Sequence, residues 1–77
     1  MKSVFVSLNS IDKVKRFESD ICKMEGDFEL VSGKYIVDAK SMMGIFSLDL
    51  SKPVLLNIHQ ETEAKMSILA KYTVEDV

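Results

Sequence analysis

The segment "DFELVSGKYIVDAKSMMGIFSLDL", residues 27–50, carries the reading of the fold. Its first half, "DFELVSGKYIVDA", reads as two strands joined at Ser32-Gly33-Lys34, where Gly33 supplies the positive φ that a tight connection needs. Ser41 then stands at the cap position of a short helix, as serine does where its oxygen can accept from a free first-turn amide. That helix is unusually apolar: Met42, Met43, Ile45, Phe46 and Leu48 surround Gly44. On a helical wheel Ile45 and Leu48 lie about 60° apart, while Met42, Phe46 and Met43 span about 100° of a different arc. One short helix cannot bury both arcs against one sheet. Ile45 and Leu48 are therefore expected to anchor it, with Met42, Met43 and Phe46 at least partly exposed as an adaptable protein-binding surface.

Working outward, residues 1–8 alternate, with Val4, Val6 and Leu8 on one side and Phe5 and Ser7 on the other, as in a half-buried strand. Asn9-Ser10 supplies cap chemistry, and Ile11, Val14, Phe17, Ile21 and Met24 recur at helical spacing. A helix over 11–24 covering the core follows, stopped by Gly26 as its C′ residue. Beyond the opening segment, Pro53 suits only the start of a strand in which Val54, Leu56 and Ile58 point inward. A last helix puts Ala64, Ile68, Leu69 and Tyr72 on one face, with Glu61 and Glu63 near its positive end. The order β-α-β-β-α-β-α predicts an α+β, open-faced sandwich: a four-stranded, mainly antiparallel sheet with helices on one face.

Composition narrows the function classes. Seventy-seven residues make one small domain with a single core layer. Hydrophobic content of 47% and charged content of 29% are those of a globular chain. A net charge of −2 argues against a general nucleic-acid binder. No apolar run approaches the ~20 residues of a membrane span, and the N-terminus turns polar too early for a signal peptide. Cys22 is the single cysteine, so no internal disulfide or cysteine metal cluster is expected. A cytoplasmic protein without cofactor or metal, not an enzyme, is the expectation, since no acid, base and nucleophile set is present.

The run "GKYIVDAKSMMGIFSL", residues 33–48, together with the element order, resembles the HPr family, the small phosphocarrier proteins of the bacterial sugar phosphotransferase system. The resemblance lies in Gly33, Lys40, Ser41, the two apolar residues after it, Gly44 and the following helix, and implies a single HPr-like domain over residues 1–77. In that family the serine matching Ser41 is modified by a bifunctional HPr kinase/phosphorylase, and the modified form binds a catabolite-control transcription factor through this helix. The family's carrier motif, "G-h-H-A-R-P" (h apolar), has no counterpart here: in "LNSIDKVKRF" Ser10 stands at the histidine position, Asp12 at the arginine and Lys13 at the proline. A hydroxyl without an adjacent base is a poor nucleophile, and Asp12 opposes an incoming phosphate. The resemblance therefore implies a variant lacking the phosphohistidine site.

The expected function is regulatory: an interaction module acting on protein partners through Lys40, Met42, Met43 and Phe46, controlled by phosphorylation at Ser41. The implied partners resemble the HPr kinase/phosphorylase or a transcription regulator, with no nucleic acid or membrane, and the chain is a monomer or weak homodimer. One alternative is a phosphocarrier using a non-standard acceptor such as His59, the single histidine, expected at the end of the fourth strand on the open face. Another is a structural module that self-associates through the Met/Phe patch. Ser10 is read as a helix cap, Cys22 as a small semi-buried side chain, and Lys13, Lys15 and Arg16 as a solvated helix face.

Overall fold

The computed structural model describes residues 2–74. Met1, included in the expected first strand, lies outside them. The elements are β1 (Lys2–Val6), α1 (Ile11–Cys22), β2 (Phe28–Ser32), β3 (Tyr35–Asp38), α2 (Met42–Phe46), β4 (Val54–Ile58), α3 (Glu63–Leu69) and β5 (Thr73–Val74). They build one sheet in the order β3-β2-β4-β1-β5, with every neighbouring pair antiparallel.

Alternation decides which face is covered. Val6, Leu8, Phe28, Leu30, Val54, Leu56 and Ile58 point toward the helices and are buried. Val14, Phe17 and Ile21 of α1, Ile45 of α2 and Leu69 of α3 close onto them in a single cluster. The hairpin between β2 and β3 turns through Gly33-Lys34, since Ser32 pairs with Tyr35. Gly33 has φ +60° and Lys34 does not share the sign, the pattern of a II′ turn, in which glycine takes the first central position. Gly44 has a different use. A Cβ there would lie 3.2 Å from Val37 Cβ and 3.3 Å from Ser41 Oγ, so the missing side chain lets α2 sit close on β3.

Four expectations need correction. The sheet has five strands, because β5 pairs with β1 where the last helix was expected to continue. The helix ends at Leu69 because Tyr72 N–H donates to Leu69 O and Thr73 N–H to Ala70 O, while Tyr72 O accepts from Ser7 N–H at 2.9 Å. The Tyr72 ring packs edge-on to Phe17, with centroids 5.3 Å apart, and its hydroxyl donates to Asp20 Oδ2 at 2.7 Å. These contacts draw the chain to the sheet edge. As a result Ala64 and Ile68 are exposed, and Met66 packs against the core instead. Ile11 is 62% exposed, since the first residue of α1 overhangs the covered face. The helix ends at Cys22 with Lys23 as its C-cap, so Gly26, at φ +101°, lies three residues past the cap and is not C′.

Candidate functional site

Ser41 caps α2: its backbone is extended (φ −97°, ψ 109°), and its Oγ accepts from Gly44 N–H at 3.2 Å. Asp38 Oδ1 accepts from Lys40 N–H at 2.9 Å, which turns the chain from β3 into the helix. Ile45 is fully buried and Leu48 nearly so, and these two pin the helix to the core. The remaining apolar side chains divide. Met43 is 86% exposed, Phe46 is 46% exposed, and Met42 is half-buried against the core edge. The Lys40 ammonium lies 5.8 Å from the centre of the buried Phe28 ring, so its cation is partly spent on that aromatic face.

The structure adds a neighbour that spacing along α2 did not bring in. Ile11, from the start of α1, and Phe46 line one shallow groove of about 320 Å³ with Leu8, Val14, Leu50 and Ser10. Ile11 carries the i, i+3 signal of a core residue, and only its position in the first turn, beyond the sheet, turns it outward. The exposed apolar surface thus reaches from Met43 to Ile11, across the ends of two helices.

Ser10 caps α1 in the same manner, its Oγ accepting from Lys13 N–H at 3.1 Å. Asp12 sits in the first turn of that helix, whereas the first turn of α2 holds no acidic residue. His59 is elsewhere. It follows β4 on the uncovered face, and its Nε2 lies 2.7 Å from Glu29 Oε1. Together with Asp27, Asp38 and Ile36 the pair lines a depression of about 340 Å³. Three carboxylates around one imidazole oppose the approach of a phosphoryl dianion.

Cys22 is exposed, not semi-buried. Its thiol donates to Glu18 Oε2 at 3.0 Å, and that contact, with some desolvation, raises its pKa and keeps it protonated. Lys13, Lys15 and Arg16 are all exposed. Among the described residues no group of three or more His, Cys, Asp or Glu side chains could hold a metal ion, and no helix is long and apolar enough to cross a membrane.

Comparison with known proteins extends the fold. No family model matches the sequence, and no curated protein matches it significantly. Among solved structures, the crystal structure of HPr-C-His from Thermoanaerobacter tengcongensis superposes with a TM-score of 0.77 at 24% identity. The match covers 92% of this chain and 89% of that one. At that identity the likeness is one of fold: the chain has an HPr-like α+β fold over nearly its whole length.

Proposed function

We propose that this chain is an HPr-like protein of the phosphotransferase-system family that has lost the histidine carrier site and works as a regulatory module, binding a protein partner through the α2 surface under control of phosphorylation at Ser41. The observation that carries the reading is the exposed apolar surface of Met43, Phe46 and Ile11 beside the Ser41 cap. A small domain has little apolar surface to spare, and adaptable methionine and aromatic side chains held out by a buried anchor suit a docking site. Lys40 and Met42 flank that surface and complete it. A phosphate on Ser41 would place about two negative charges beside Met42 and Met43 and so change which partner docks.

The partner is a protein of the HPr kinase/phosphorylase or transcription-regulator kind, and the chain acts in the cytoplasm without cofactor or catalysis of its own. Incubation with ATP and an HPr kinase/phosphorylase, followed by intact-mass measurement, tests the regulatory half. One acid-stable phosphate is expected on the native chain and none on Ser41→Ala. Absence of the adduct, with the kinase active on a genuine HPr, removes phosphorylation from the reading. Incubation with phosphoenolpyruvate and enzyme I is expected to leave the protein unmodified, and an acid-labile adduct would establish a carrier instead.

A further inference from the structure

The strand registers place five apolar residues in one line on the face away from the helices. Val74 pairs with Phe5, Phe5 with Leu55, Leu55 with Val31, and Val31 with Ile36, so the line crosses all five strands. None of the five belongs to the core cluster or packs against it. Ile36 is 63% and Val74 39% exposed, and the three inner residues are half-buried. The polar groups beside this line are unequal. On one side the next register holds Ser3, Asn57, Glu29 and Asp38. On the other side stands the exposed Lys34, in the turn two residues before Ile36.

We infer that this face is a self-association surface, on which a second copy of the chain packs sheet against sheet with the two-fold axis running along the apolar line. That axis sets each residue of the line over its own copy. It also sets the acidic side of one sheet over the Lys34 side of the other, bringing Lys34 opposite Asp38 at the β3 edge. The other in-plane axis, along the strands, exchanges β2 with β1 and β3 with β5, so it sets Glu29 over Ser3 of the partner subunit and leaves Asp38 and Lys34 without each other. Two antiparallel sheets pack in this way at about 10 Å separation, and an identical sheet matches the footprint. Five strands at about 4.8 Å spacing and about five residues at ~3.4 Å give a face of roughly 400 Å². That is about half of the ~800 Å² each partner contributes to a standard interface, so the dimer is weak and reversible. The inference rests on strand register and is independent of the reading of α2.

Sedimentation equilibrium of the full chain from about 10 μM to about 1 mM covers the range expected of so small an interface. The weight-average mass should rise toward twice the monomer value. Ile36→Lys, at an exposed edge position that cannot cost the fold, should raise the dimer Kd at least about tenfold. Lys34→Glu, which sets like charges opposite at Asp38, should raise it about two- to tenfold. Met43→Asp should leave it unchanged. In a Cys22→Ser background, Ile36→Cys should be joined to its copy by a bis-maleimide spanning about 10 Å, and Ile68→Cys on the helical side should not. A chain that stays monomeric at the top of the range overturns the proposal, as does a dimer that Met43→Asp abolishes and Ile36→Lys does not. A dimer indifferent to Lys34→Glu overturns the orientation of the axis.

Discussion

Met43 and Ile45 stand two residues apart on one short helix, and the structure assigns their substitution opposite consequences. Met43 is 86% exposed, so Met43→Asp forfeits about a seventh of a side-chain burial worth about 1.5–3 kcal/mol, or roughly 0.2–0.4 kcal/mol. Aspartate is the poorer helix former by about 0.3–0.5 kcal/mol. Against both, a carboxylate in the first turn of α2, which has no acidic residue, gains about 0.3–1 kcal/mol from the free amides and the helix dipole. The net change is expected within about 0.5 kcal/mol of zero, while the new charge sits in the middle of the proposed docking surface. Ile45→Ala removes a fully buried anchor and should cost about 2–5 kcal/mol, a large share of the ~4–12 kcal/mol available to a domain of this size.

Urea unfolding followed by circular dichroism, with the slope m compared between variants, measures both stabilities. Capture of the partner by each folded variant measures docking. The expected result is Met43→Asp at native stability with binding lost. A stability for Met43→Asp lowered by more than about 1 kcal/mol, read as the midpoint shift times an unchanged m, would refute the reasoning, because it would mean that Met43 is packed against something.

Three further outcomes follow from particular contacts. Ser41→Ala removes the acceptor for Gly44 N–H and should cost about 1 kcal/mol, a fall of about 4–8 °C in Tm by calorimetry, leaving a folded control for the phosphorylation experiment. Tyr72→Phe removes the hydroxyl that, as the largest cause, holds the Asp20 carboxyl below its ordinary 3.8. With Asp20 partly exposed and also paired to Lys71 at 3.1 Å, the loss should be about 1 kcal/mol at pH 7. A depressed carboxylate stabilises the fold above its unfolded pKa, and that stabilisation disappears as pH falls through the lower folded value. The gap between native and variant urea midpoints should therefore narrow below pH 3.8. Gly44→Ala should destabilise by about 1 kcal/mol in the same assay despite alanine's helix propensity, because Val37 Cβ at 3.2 Å is fixed to the strand and cannot rotate away.

The elements that the sequence disclosed are those whose signal is local. Val54, Leu56 and Ile58 alternate within one strand, Gly33 marks one turn, and Ile45 and Leu48 share one helical arc with a serine before it. The elements that escaped depend on contacts distant along the chain. β5 has two residues and exists because Tyr72, held by Phe17 and Asp20, delivers Thr73 and Val74 to the edge of β1. The apolar line from Val74 to Ile36 can be read in no single strand, since each contributes one residue and pairing alone aligns them. Ile11 shows the converse error: its spacing is that of a core residue, but a helical period does not say where the sheet beneath the helix ends.

The two capping serines differ in what an added phosphate would meet at each. Ser10 Oγ and Ser41 Oγ each accept from the amide three residues on, at 3.1 and 3.2 Å, so as structural caps they are equivalent. Their electrostatic settings differ. The first turn of α1 already holds the carboxylate of Asp12, which stands at the positive end of that helix and repels a second anion. The first turn of α2 has no acid, and its Gly44 amide is offered to the Ser41 oxygen alone. A phosphoester at Ser41 would keep an acceptor oxygen in place of the hydroxyl it modifies, so the cap persists while the charge changes. Transfer of a phosphoryl group needs more than a place for charge: it needs an acceptor from which the group leaves readily, and a serine ester supplies none. A charge added at Ser41 is thus compatible with the helix cap, as the proposed regulatory role requires, while neither capping serine offers a readily departing phosphoryl group.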